Sequence, residues 1–230
     1  DMDAGAPGRQ PDRLQAVLAD IARRGADVTV NLGDILSGPL QVVQTAELLM
    51  PLNLPTLCGN HERQLLAAFD GPEEAREPFS SDGFAAMQIG PEHAQWLRAL
   101  PAYLWIGGEV LLVHGTPRSD LEYNLETVVP GFGLDGASGL RAASIPELQE
   151  RFFGEAGDAL KTSKASLILC GHTHVPRACV VHGALIVNPC SVRLQAFDDD
   201  HPHLHYVENH SPHARYALLE KTPQGWQVEQ

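Results

Sequence analysis

The sequence predicts an α/β fold whose functional residues gather at the ends of short strands. Three observations predict it. Helix-period apolar stretches alternate with short apolar runs, four of those runs end in glycine-flanked polar clusters, and two-residue turns containing glycine mark hairpins in the second half.

Residues 11–24 (PDRLQAVLADIARR) place Leu14, Val17, Leu18 and Ile21 at i, i+3, i+4 and i+7, predicting an amphipathic helix that Gly25 ends. Residues 28–32 read as a buried strand running into Gly33-Asp34. Residues 44–52 read as helix, and 55–58 as a second strand running into Gly59-Asn60-His61-Glu62. This alternation predicts βαβ units and a largely parallel sheet. Segments 102–106 and 109–113 flank Gly107-Gly108, a hairpin turn. Residues 117–144 are rich in Gly, Pro, Ser and Asp and predict a long surface loop. A helix around 146–153 precedes a strand at 166–170, which ends in Gly171-His172-Thr173-His174. Segments 177–181 and 184–188 form a hairpin around His182-Gly183, and 216–220 with 225–229 form a last one.

At 230 residues, 43% hydrophobic and 20% charged, the chain suits one α/β domain spanning 1–230. No run approaches the ~18 apolar residues of a membrane span. The opening Asp1-Met2-Asp3 has neither a basic region nor an apolar stretch, so a cytoplasmic protein is expected. Cys58, Cys170, Cys179 and Cys190 lack CxxC spacing, and the expectation is reduced, mostly buried thiols. The net charge of −13, without a Lys/Arg cluster, disfavours nucleic-acid binding as the main role. Small anionic substrates remain compatible, because bound divalent cations reverse the sign locally.

The polar clusters Gly33-Asp34, Gly59-Asn60-His61-Glu62, His114-Gly115 and Gly171-His172-Thr173-His174 each follow a short apolar strand. Open α/β sheets bind ligands outside the carboxyl ends of their strands, and glycine lets backbone approach an ion closely. Asp34 offers a carboxylate able to bridge two cations, Asn60 a carbonyl oxygen, and His114, His172 and His174 imidazoles. Mixed imidazole and oxygen ligation suits Mn, Fe, Ni or Zn better than Ca or Mg. Two such ions activate water and neutralise charge in an in-line displacement at phosphorus. Taken singly these residues say little, since Gly-Asp is common turn chemistry and a lone histidine after a strand is more often structural.

The series NLGD (31–34), CGNHE (58–62), VHG (113–115) and CGHTH (170–174) resembles the motifs of calcineurin-like metallophosphoesterases, most closely the small bacterial phosphodiesterases. The resemblance spans residues 28 to about 192, including Asn188-Pro189 with Ser191-Val192. It implies a four-layer α-β-β-α sandwich of two mixed sheets, with a dinuclear site at the strand ends. It also implies hydrolysis of a small phosphodiester or phosphomonoester through a bridging hydroxide. By the same resemblance Asp34 bridges the metals, Asn60, His114 and His172 complete one shell, and His174 belongs to the other. His61 matches the family's general acid, with Glu62 either orienting it or acting as a helix-start carboxylate. The family opens with a strand ending in Asp-x-His that supplies further ligands. Here the only echo is Asp1-Met2-Asp3, with Asp where His is expected.

A serine/threonine protein phosphatase, which shares these motifs, and a non-catalytic scaffold lacking the first motif are the alternatives. Residues 198–213, including the histidine-rich segment 201–213, read as a solvated connection between strands, with an accessory metal site or metal-sensing flap as the other reading. On a strand, His203 and His205 would point the same way. Arg118 and Tyr123, just after His114, are either substrate contacts or loop anchors.

Overall fold

The computed structural model describes residues 10–37, 41–72, 79–133, 138–193, 196–209 and 211–230. Five helices come first: α1 (Gln10–Arg24), α2 (Val42–Leu49), α3 (Asn60–Asp70), α4 (Ser81–Ala86) and α5 (Pro91–Arg98). Helices α6 (Ile145–Phe153) and α7 (Glu155–Leu160) lie in the second half. In α1, Asp12 in the first turn and Arg23 and Arg24 in the last complement the helix dipole, and Gly25 ends the helix at φ 71°.

A five-stranded mixed sheet is built from β1 (Tyr103–Ile106), β2 (Val110–Val113), β5 (Leu167–Leu169), β6 (Arg177–Val181) and β7 (Ala184–Asn188), in the order β1-β2-β5-β7-β6. Pairs β2–β5 and β5–β7 are parallel, and the two outer pairs are antiparallel. Gly107 and Gly108 take φ 59° and 73°, and His182 and Gly183 take 50° and 81°. Positive φ at both central residues matches the right-handed twist of the flanking strands. The remaining strands pair two by two: β3 (Glu126–Val129) with β4 (Gly139–Ala142), β8 (Ala196–Asp199) with β9 (His205–Glu208), and β10 (Leu218–Thr222) with β11 (Gly225–Glu229).

Side-chain alternation sorts the sheet residues between two cores. Leu111, Val113, Ile168 and Ile186 face Leu148 and Phe152 of α6. Val110, Leu112, Leu167 and Val187 face Leu57, Val30, Leu32 and the β10–β11 hairpin. A third core joins Leu14 of α1 to Val42, Leu65 and Leu97 of α2, α3 and α5. The result is a mixed α/β fold with one mixed sheet between two cores; where a second mixed sheet is expected, the described residues show the antiparallel β10–β11 pair.

Several local expectations are corrected. Segments 28–32 and 55–58 form no continuous ladder; they meet at one parallel bridge, Asn31 to Thr56. Residues 117–144 are not one surface loop, because β3 and β4 lie within them and Tyr123 to Glu126 are buried. Polar Glu126 is accommodated inside by Arg177, at 2.8 Å. Segment 198–213 is likewise no mere solvated connection: it carries most of the β8–β9 hairpin, which meets the β4 side through a bridge from Ser138 to His205.

Candidate metal centre

Two loops are pressed together at the site, and glycine makes the approach possible. A Cβ on Gly59 would lie 2.3 Å from Asp34 Oδ1, and one on Gly33 would lie 2.7 Å from the Gly59 nitrogen. Asp34, His172 and His174 all adopt left-handed backbone, with φ of 57°, 64° and 53°. Such conformations cost energy in non-glycine residues and concentrate where side-chain direction matters.

Buried Glu62 sets the Asp34 turn. Its carboxylate accepts the backbone N–H of Asp34 and Ile35 at 2.7 Å each and of Gly59 at 2.9 Å. Burial raises its pKa and the Asp34 charge adds to this, while the backbone donors oppose it. Glu62 is thus the clasp between the two loops, starting α3 from its third position. It does not orient His61. That partner is Asp82, on α4, whose carboxylate oxygens lie 3.0 and 3.2 Å from His61 Nδ1. Burial opposes charge on His61, but Asp82 and then Asp34 leave its pKa raised. No spacing pattern in the sequence points to Asp82.

The donor atoms converge. His114 Nδ1 lies 2.6 Å from the Leu32 carbonyl and donates to it. Nε2 lies 3.0 Å from Asp34 Oδ2 and 3.1 Å from Asn60 Oδ1, where it carries a proton between the oxygens or, with a cation there, a lone pair toward it. Asn60 turns its Nδ2 away, to Gln64 Oε1 at 3.2 Å. A carboxylate oxygen, an amide oxygen and an imidazole nitrogen thus meet with acceptor faces inward, an arrangement that needs a proton or a cation. Burial opposes charge on His114, yet Asp34 raises its pKa to about 9. Burial also works against the Asp34 charge, but His114 and then His61 and His172 hold it well below the usual carboxylate range. His172 is pushed down to about 4 by burial and by His114, which keeps it neutral and able to ligate.

Ligand atoms of Asp34, His114 and His172 lie within 4.8 Å of one another. The donor set is therefore the right chemistry for a divalent cation, with Asn60 Oδ1 beside it. His174 is outside that group; it lines the same cavity, its ring 5.2 Å from Phe197. The cavity, about 1290 Å³, also meets His61, Ser37 and Arg193. Arg193 donates to the Ser37 carbonyl.

A model of the family described as "Calcineurin-like phosphoesterase" matches residues 7–176, most of the chain. The chain belongs to the calcineurin-like phosphoesterase family. A curated relative, the uncharacterized protein MJ0912 of Methanocaldococcus jannaschii, is 25% identical over 201 residues, covering 84% of this chain and 68% of that protein. Among solved structures, a metallophosphoesterase from Sphaerobacter thermophilus aligns at TM-score 0.57 and 23% identity, covering 95% of this chain and 83% of that one. The hypothetical protein PH1004 from Pyrococcus horikoshii OT3 aligns at TM-score 0.55 and 13% identity, covering 86% of this chain and 82% of that one. These similarities support the mixed α/β fold.

Asp1 and Asp3 lie outside the described residues. Arg118 is a loop anchor, its Nε 2.8 Å from Glu122. Tyr123 is buried, with its hydroxyl 3.1 Å from Asp199 and 2.8 Å from His205 Nε2, so it is not a stacking platform. His203 and His205 do not share a face: His203 is exposed before β9 begins, while His205 is wholly buried. Asp199, Asp200 and His201 form a second, more exposed group of donors at the end of β8. All four cysteines are free thiols, two buried and two half-buried. Among the described residues no helix is long and apolar enough to cross a membrane.

Proposed function

We propose that the chain hydrolyses a small phosphodiester or phosphomonoester at a metal centre held by Asp34, Asn60, His114 and His172. The observation that carries this reading is the meeting of Asp34 Oδ2, Asn60 Oδ1 and His114 Nε2 at distances of 3.0 and 3.1 Å from the imidazole. His174, with Asp34, would serve a second ion. Divalent ions there would supply an activated water and neutralise the charge on the phosphate oxygens. Mn, Fe, Ni or Zn fits the imidazole-rich set.

The protein's own groups supply the rest. Asp34 and Asn60 hold negative and neutral oxygen ligands in place. Arg193, in the cavity wall, would offer a cation to the phosphate. His61, whose pKa Asp82 raises against the effect of burial, would give its proton to the leaving oxygen as the P–O bond breaks. With the water oxygen bonded to phosphorus, the products would be a neutral alcohol or phenol together with a phosphomonoester from a diester, or inorganic phosphate from a monoester.

The first test is bis(p-nitrophenyl) phosphate hydrolysis by chelator-stripped protein, with and without Mn²⁺. Activity restored by Mn²⁺ is the expected result. A folded, Mn²⁺-binding protein without turnover would favour the scaffold alternative, and preference for a phosphoserine peptide would favour the protein phosphatase.

His61→Gln should lower turnover of an alkyl phosphodiester by about 100-fold, the typical worth of a positioned general acid. The loss on p-nitrophenyl esters should be much smaller, because p-nitrophenolate leaves without a proton. Asp82→Asn should show the same leaving-group pattern with a weaker loss. An equal loss on both substrate types would remove His61 from the acid role.

A further inference from the structure

The β8–β9 hairpin reaches the metal-ligand loop from outside, and one of its residues does so through a buried chain of contacts. His205 is fully buried, with Nδ1 2.7 Å from the His203 carbonyl. Nδ1 donates there, and Nε2 lies 2.8 Å from the Tyr123 hydroxyl oxygen. The hydroxyl donates to Asp199 Oδ2, on the neighbouring strand, at 3.1 Å. The hairpin thus grips Tyr123 by its oxygen from two sides.

Tyr123 in turn stands edge-on to His172, with ring centroids 5.2 Å apart and planes at 77°. The His172 ring in turn lies 5.3 Å from that of His114, tilted by 58°. Residues flanking Tyr123 complete the seat. The Leu121 carbonyl lies 3.2 Å from His172 Nε2, and Asn124 Nδ2 donates to the Gly171 carbonyl at 2.7 Å. With Nε2 donating to Leu121, Nδ1 is the nitrogen of His172 left to ligate. The ring cannot lean back, because Tyr123 closes that side.

We infer that His205 and Tyr123 are positioning residues for His172: His205 clamps the Tyr123 hydroxyl, and the Tyr123 ring fixes the ligand imidazole in its left-handed turn. The inference rests on the metal-centre reading above. A merely structural hairpin would lose stability when cut but would leave the ligand geometry unchanged. Groups that orient a metal ligand typically change metal affinity by about 10- to 100-fold when removed.

The test uses Co²⁺ as the probe ion on full-length protein, reading affinity and the visible ligand-field band, with circular dichroism as the folding control. Tyr123→Phe removes only the hydroxyl and keeps the ring; His205→Phe keeps volume and removes the ring nitrogen that meets the hydroxyl. Each should weaken Co²⁺ binding by about tenfold and shift or broaden the band. The double variant should be no weaker than the worse single one, because both cut the same path. His205→Gln, which restores a hydrogen-bonding group, should recover most of the affinity. Tight, unshifted Co²⁺ binding by folded Tyr123→Phe overturns the positioning role while leaving the metal centre intact. Wild-type protein that binds no Co²⁺ overturns the metal-centre reading itself, and this inference with it.

Discussion

Asp34→Asn is expected to abolish metal-dependent phosphoester hydrolysis while leaving the melting temperature close to that of the wild type. Asp34 is the one carboxylate in the cluster with His114 and His172, so its charge is the main attraction for a cation there. Lewis-acid stabilisation of the transition state is worth several kcal/mol, and about 4 kcal/mol corresponds to a loss of about a thousandfold. The fold should tolerate the change for three reasons. Asn accepts the left-handed backbone that Asp34 adopts at φ 57°. Its Oδ1 can still accept the His61 backbone N–H, now 3.2 Å from Asp34 Oδ1. Removing the charge also relieves the repulsion that raises the pKa of buried Glu62. Mn²⁺ titration, turnover and thermal unfolding of one sample check all of this. A fully active variant would sink the proposed centre.

What the sequence disclosed and what it hid divide along physical lines. The hairpins around Gly107-Gly108 and His182-Gly183 were legible because the turn requires positive φ at adjacent positions, a local demand that residue type reveals. Strand-end clusters were legible because a short apolar strand delivers its last residue to one sheet edge. The β3–β4 hairpin was hidden. Its inward-facing Glu126 is polar, and it is at home only because Arg177, 51 residues later, reaches it. Residues 28–32 show the reverse. They have strand composition but only the Asn31–Thr56 bridge, since pairing depends on neighbours that composition does not specify. In the site, Asp82 was invisible because its meeting with His61 depends on how α4 packs beside α3, not on spacing. Glu62 stands next to His61 in sequence, yet adjacency misleads: on a helix, successive side chains point about 100° apart.

That geometry makes Glu62 the residue whose loss should cost the fold most among those at the site. Glu62→Leu fills similar volume and removes the acceptor for three backbone N–H groups, at 2.7, 2.7 and 2.9 Å. Each buried donor left unpaired costs about 1–3 kcal/mol, so a destabilisation on the order of 4 kcal/mol or more is expected. Against a total stability of about 5–15 kcal/mol, such a loss takes a large share of the fold's margin. Glu62→Gln should fall between the two, because one carbonyl oxygen still accepts while the amide N–H₂ faces a backbone donor. The loss should also reach the chemistry. Asp34 and Gly59 are joined through this carboxylate, so Mn²⁺ affinity should fall in parallel with stability across Glu62→Gln and Glu62→Leu. Urea unfolding and Mn²⁺ titration of the pair test both halves. If Glu62→Leu unfolds at the wild-type midpoint, the clasp is not what holds the two loops together, and the glycine contacts alone must do so.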